Sequence, residues 1–269
     1  MTRKSTPQSL NLINLAIAFS LGLAFVPQLQ TPVLAEPSPV TPEPTLSFVP
    51  PPETPGAPDG RSSAGGATRG NCSTLDSQSS ASPSSRLTLL TPSISPNRPR
   101  LTSVEYPTFL IYLPPTQAEE AEFTLVDQDE EYSYQTTFPL KQTAGIISFQ
   151  LPPEAPPLEP NKTYTWKVAI ICDRQSRTED VFAQEQVQFI ELQPEQVQQL
   201  ETATPLEQVA LYGEFGIWYD MMKIFAELRR SQPNNPELTL TWNKLLQSKT
   251  VGLTDIAPKP LIACCTVED

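Results

Sequence analysis

Leu158-Glu159-Pro160-Asn161-Lys162-Thr163-Tyr164-Thr165-Trp166-Lys167-Val168-Ala169-Ile170-Ile171-Cys172 puts a proline-containing turn ahead of a run with Tyr164, Trp166, Val168, Ile170 and Cys172 at every second position. Side chains two apart on a strand point the same way, so these five define one face, and their character makes it the core face. Further apolar or β-branched runs of strand length lie at 86–91, 103–113, 121–127, 132–139, 145–151 and 180–191. Breakers separate them: Pro92, Pro96 and Pro99, then Pro114-Pro115, the acidic stretch 127–131, Gly145, and the proline cluster 152–160. About seven short strands with frequent turns over about 100 residues is the pattern of an antiparallel β-sandwich, expected here over 86–192.

A tyrosine at the start of a late strand, after a Leu-x-Pro turn, resembles the tyrosine corner of immunoglobulin-like and fibronectin type III sandwiches. There the hydroxyl bonds back to backbone in the preceding turn. The resemblance implies an immunoglobulin-like sandwich with Tyr164 in that role.

After Leu192 the pattern becomes helical, and 193–269 is expected to be a small helical module, giving an α+β chain. Pro194–Ala203 reads as a short helix. Thr204-Pro205-Leu206-Glu207 supplies an N-cap, a proline at the first helical position and a capping-box acid. That helix should end at Gly213–Gly216; a second is expected from Ile217 to Arg230, and a third opens at Asn235-Pro236. Tyr212, Gly216, Trp218, Phe225, Leu228 and Pro233 match the spacing of one tetratricopeptide-like hairpin, although Met221 stands where that motif wants alanine. A lone hairpin cannot bury its apolar face, so the third helix and the flank of the sandwich are the expected covers. That assigns Trp218, Tyr219, Phe225 and Trp242 to core packing first; Trp218, Tyr219 and Trp242 are retained as a candidate interaction surface.

The amino terminus reads as an export signal. Arg3 and Lys4 precede an apolar run from Leu10 to Val26, and Val33-Leu34-Ala35 offers small residues to a signal peptidase. Cleavage is expected between Ala35 and Glu36, leaving 1–35 as the signal peptide; an uncleaved anchor is the rival. Residues 36–85, rich first in proline and then in glycine and serine, are expected to be a spacer. The signal takes two of the 18 basic residues, leaving 16 against 30 acids and a charge of −14. Such acidity disfavours nucleic acid and anionic lipid as partners, and no stable membrane insertion is expected after cleavage.

Four cysteines in a chain bound for an oxidising compartment read first as disulfides. Adjacent Cys264 and Cys265 would form a strained ring if joined. Cys172, at the end of an inward-facing strand, is placed to staple the N-terminal approach, which favours a Cys72–Cys172 pair.

Several segments together look like a cyanobacterial family known only as domain of unknown function 928. They are Thr68-Arg69-Gly70-Asn71-Cys72, Tyr106-Pro107-Thr108-Phe109-Leu110-Ile111-Tyr112-Leu113-Pro114, and Tyr164-Thr165-Trp166 leading to Ile171-Cys172-Asp173. Ala210-Leu211-Tyr212 through Gly216-Ile217-Trp218-Tyr219-Asp220, Ala226-Glu227-Leu228-Arg229 and Val251-Gly252-Leu253 complete the set. The resemblance spans about 68–265, with the serine-rich stretch 73–85 as an insertion. It implies an exported protein and brings no activity, ligand or catalytic residue.

The chain has no histidine, which removes Ser-His-Asp and Cys-His catalysis and histidine-based metal sites. GxSxG, P-loop, GxGxxG and CxxC motifs are absent too. Neither catalytic residues nor a cofactor or metal site is therefore assigned. Asp127, Asp129 and Glu131 alternate as calcium ligands do, but without the central glycine and distal glutamate of an EF-hand, and a solvated turn explains them more simply. The leading expectation is a non-enzymatic, periplasmic or secreted interaction module with an envelope protein partner. The alternative is a carbohydrate-binding envelope protein, using aromatics such as Tyr132 and Tyr134, or a calcium-binding one; an enzyme using carboxylates alone ranks last.

Overall fold

The computed structural model describes residues 46–51, 86–93, 98–127, 129, 133–141 and 143–263. The expected signal peptide with its Ala35–Glu36 cleavage point, Cys72, Cys264, Cys265 and Tyr132 lie outside the described residues.

Period-two alternation builds two sheets. β1 (Thr88–Leu89), β3 (Thr108–Leu113) and β6 (Gly145–Gln150) form a three-stranded antiparallel sheet in the order β1-β3-β6. β2 (Arg100–Thr102), β8 (Val181–Phe189), β7 (Thr163–Ile170), β4 (Glu120–Asp127) and β5 (Ser133–Pro139) form the other, in the order β2-β8-β7-β4-β5. Tyr164, Trp166, Val168 and Ile170 all point inward, as the alternation requires. Facing them across the core, Phe109 of β3 lies 4.5 Å from the Trp166 ring, and Phe149 of β6 stacks 4.2 Å from Phe123 of β4. The two sheets thus meet through interleaved aromatic rings, each adding about 0.5–1.5 kcal/mol beyond its buried area.

Tyr164, at the start of β7, closes the preceding turn as read. The Glu159 N–H donates to the Tyr164 hydroxyl at 2.9 Å, and Asn161 takes the left-handed conformation (φ 63°) that asparagine tolerates.

One feature of the antiparallel expectation needs correction. β2 runs parallel to β8, pairing Arg100 with Val187 and Thr102 with Phe189, so the larger sheet is mixed. Three residues opened by an arginine after Pro99 carry no strand period. They pair because Arg100 turns inward, donating to the Arg98 and Pro92 carbonyls, and lies 3.8 Å from Glu185.

The helices follow their caps. α1 spans Pro194–Thr202, α2 Pro205–Glu214, α3 Trp218–Ser231 and α4 Pro236–Gln247. At α2, the Thr204 N–H donates to Glu207 at 2.7 Å and the Glu207 N–H returns to the threonine hydroxyl at 3.4 Å, satisfying two terminal groups reciprocally. At α4, Asn235 accepts from the N–H groups of Glu237 and Leu238.

The 193–263 part is not packed separately from the sheets. The α3 face of Trp218, Tyr219, Met221, Met222, Phe225 and Ala226 joins the same core as β3, β4 and β7. Three polar links cross that boundary inside the core. The Trp166 indole donates to the Tyr219 hydroxyl at 2.7 Å, the Trp218 indole to the Leu90 carbonyl at 2.7 Å, and Thr102 and Ser103 donate to the Asp220 carboxylate. Further along, Leu261 forms a parallel bridge to Ile146 on the open edge of β6.

The spacer expectation does not extend to Leu46–Pro51. This segment lies against α2 and α3, with Phe48 buried and its ring edge-on to Trp218 at 4.9 Å.

Candidate functional site

The outward face of the larger sheet is lined mainly by threonine and glutamine, and at one end a cleft of about 410 Å³ opens on it. Outward positions supply its floor: Glu122 from β4, Gln135 from β5, Lys167 and Ala169 from β7, and Phe182 from β8. The register explains the grouping, since Glu122 lies opposite Ala169, and Ala169 opposite Phe182. The wall is the β7–β8 connection, which folds back through a 3₁₀ turn at Arg177–Glu179 and delivers Arg177, Thr178 and Asp180.

Arg177 organises the charges. Its two terminal nitrogens donate to the two Glu122 oxygens at 3.2 Å each, and its Nε donates to Asp180. Asp180 in turn accepts from the Cys172 N–H at 3.1 Å, and Gln135 donates to Glu122 at 2.7 Å. Burial alone would push the Glu122 carboxyl up, but the Arg177 guanidinium, the Gln135 amide and the Lys167 charge together hold it below its ordinary value. The same carboxylates raise Arg177 above its own. Lys167 completes the cleft, its ammonium 6.0 Å from the centre of the Phe182 ring.

Both carboxylates on Arg177 are therefore engaged, and Glu122 is stabilised as the anion, which is the wrong state for a general acid. The cleft presents an ammonium, an amide, a hydroxyl and an aromatic face around a neutralised floor. Among the described residues no cluster of three or more Asp, Glu, Cys or His could hold a metal ion.

The residues singled out from the sequence lie elsewhere. Trp218, Tyr219 and Trp242 are buried to within 2 % of full enclosure, Trp218 with the Phe48 ring against it, so none is exposed at the surface. Tyr219 is locked between Trp166 and the Gln186 carbonyl, and burial pushes its phenol well above the ordinary range. Tyr134 packs against the core. Asp127 is buried and paired with the Lys162 ammonium at 2.7 Å, so a cation of the protein's own already meets the first carboxylate of the calcium-like alternation; Asp129 is exposed, and Glu131 lies outside the described residues. Cys172 is the one cysteine among the described residues and is not a free thiol.

Glu122 is one of three nearby acids in the sequence, with Glu119 and Glu120, and Gln135, Lys167, Arg177, Asp180 and Phe182 were not singled out. The available signal was Glu120, Glu122 and Lys167 breaking an otherwise neutral outward row, followed by a charged loop holding Asp173, Arg174, Arg177 and Asp180.

Among the described residues no helix is long and apolar enough to cross a membrane. No curated protein matches the chain. Among solved structures, the fibronectin type III domain of the human collagen alpha-1(XX) chain is similar at 16 % identity, over 44 % of this chain and 90 % of that one, with a TM-score of 0.26. Residues 64–261 match the family described as Domain of Unknown Function (DUF928), and the chain belongs to that family.

Proposed function

We propose that this member of the DUF928 family is a non-enzymatic, exported interaction module that engages an envelope protein through the cleft on its larger sheet. The observation that carries the reading is the commitment of Glu122 and Asp180 to one guanidinium, which leaves the cleft without an uncommitted carboxylate. The absence of histidine from the whole chain supports it, and the acidity of the chain argues against nucleic acid as the partner. We assign the sandwich to the immunoglobulin-like class on the Tyr164 corner, and the α2–α3 pair to the tetratricopeptide-like hairpins. In that pair Gly213 lies against Met221, so the small residue has moved to the facing helix. Export through a signal ending at Ala35 and a Cys72–Cys172 staple belong to the same reading.

Cross-linking of the full mature chain in envelope extracts tests it. Lys167→Glu reverses the charge of the cleft's half-buried ammonium on the outward face of β7. The expected result is one protein captured by the wild type and lost with Lys167→Glu at an unchanged melting temperature. Identical capture by both, or turnover of a small substrate by the purified chain, would remove the proposal.

Phe182 supports a second reading, since an aromatic face beside an amide and an ammonium also suits a sugar ring. A melting temperature unmoved across a glycan panel counts against it.

A further inference from the structure

Leu46–Pro51 sits on the molecule as a bound peptide would. Its side chains alternate, with Phe48 buried, Leu46 and Pro50 half-buried, and Ser47 and Val49 exposed, as in an extended ligand read at every second position. Phe48 enters the core beside Trp218. The Val49 N–H donates at 3.0 Å to the Gly213 carbonyl in the last turn of α2, which also accepts from the Gly216 N–H at 3.3 Å. Arg98 closes the far end by donating to the Pro51 carbonyl at 2.8 Å.

Two glycines make the seat. A β-carbon on Gly213 would stand 2.4 Å from the Ser47 carbonyl oxygen, and one on Gly216 would stand 2.9 Å from the Val49 oxygen and 3.0 Å from the Pro51 ring. Gly216 also holds φ +73°, which disfavours any side chain there. The helical corner is thus hollowed where the peptide backbone passes.

We propose that the α2–α3 corner is a recognition groove for extended Leu-x-Phe-x-Pro-Pro peptides, with Leu46–Pro51 as its ligand in cis. The ligand is separated from β1 by the stretch 52–85, so its seat does not depend on chain continuity through a tight turn. Arg98, Gly213, Gly216 and Trp218 lie inside the segment matched to the family, whereas the ligand lies before it. Consecutive prolines pre-set the extended form and lower the ordering cost of docking. Only the groove's use by a partner rests on the interaction-module reading; the cis contact stands by itself.

The test uses the full chain and a fluorescent peptide of residues 44–53. Phe48→Ala empties the groove, and this variant is expected to take up the peptide at least about tenfold more tightly than the wild type, whose tethered segment competes at high effective concentration. Adding Gly213→Ala should abolish uptake, although alanine is the better helix former. Should Phe48→Ala lose the fold, Val49→Pro replaces it, because Val49 is exposed and proline removes the N–H that binds the Gly213 carbonyl while keeping the segment extended. A variant with the wild-type near-ultraviolet spectrum that ignores the peptide overturns the proposal, as does uptake unaffected by Gly213→Ala. Lys167→Glu is expected to leave peptide uptake unchanged, so failure of the cleft reading and failure of the groove are read separately.

Discussion

Tyr219 carries two hydrogen bonds at the centre of the core, accepting from Trp166 and donating to the Gln186 carbonyl. Tyr219→Phe keeps the ring and leaves the Trp166 indole N–H buried without its acceptor, so a loss of about 1–3 kcal/mol in urea unfolding is expected. Its neighbour Asp220 is enclosed too. Burial raises its carboxyl above the ordinary 3.8, against the opposing pull of Thr102 and Ser103. A raised folded value means that protonation favours the fold, so this group's contribution is largest below pH 3.8 and declines as pH climbs through the folded value. Asp220→Asn should therefore gain on the wild type as pH climbs through the folded value, while Asp220→Ala should cost roughly 1–3 kcal/mol by stranding the Thr102 and Ser103 donors. Glu122 titrates in the other sense. Its value is held below the ordinary 4.5, so its contribution is present above that pH and lost as pH falls through the folded value. Arg177 is 42 % exposed at its side chain, so Arg177→Ala should cost under about 1 kcal/mol and act mainly on the cleft. Among single residues, Tyr164 was legible in the sequence because its partner lies five positions away. Trp218 and Trp242 were legible as aromatics with a core role first, but their full enclosure depends on what packs over them, which no local pattern states.

Elements with local punctuation were the readable ones. The Thr204 capping box and the Asn235-Pro236 start set the openings of α2 and α4, and Thr204→Ala is expected to cost about 0.5–2 kcal/mol, seen as faster amide exchange in the first turn of α2. The alternating strands β4 to β8 were placed to within a few residues for the same reason. β2 was not, since its three residues pair with an edge through a buried arginine rather than a period. Leu46–Pro51 was not, because proline density there reads as spacer until Gly213 and Gly216 are seen to have cleared its path. The cleft was invisible as a unit: its lining comes from four strands and a loop, and only register brings Glu122, Ala169 and Phe182 into one row.

At the scale of the molecule, the packing of helices on the flank of the sheets was legible in the sequence, and the buried hydrogen bonds that join them were not. The union matters for function. With the aromatic face of α3 packed on the sheets, the proposed partner surface is the larger sheet's outer cleft. Large side chains enclosed along that seam each contribute roughly 1.5–3 kcal/mol relative to exposure, so the two parts should not open independently. The indole N–H groups of Trp166 and Trp218 report on this directly, because each donates across the seam. Hydrogen exchange of the full chain, read at these two indoles and at the β7 amides, tests the shared core. The account predicts that both indoles exchange with the same opening free energy as the slowest β7 amides. A Trp218 indole that exchanges freely while β7 stays protected would contradict it, and would return the helices to the status of a separate module.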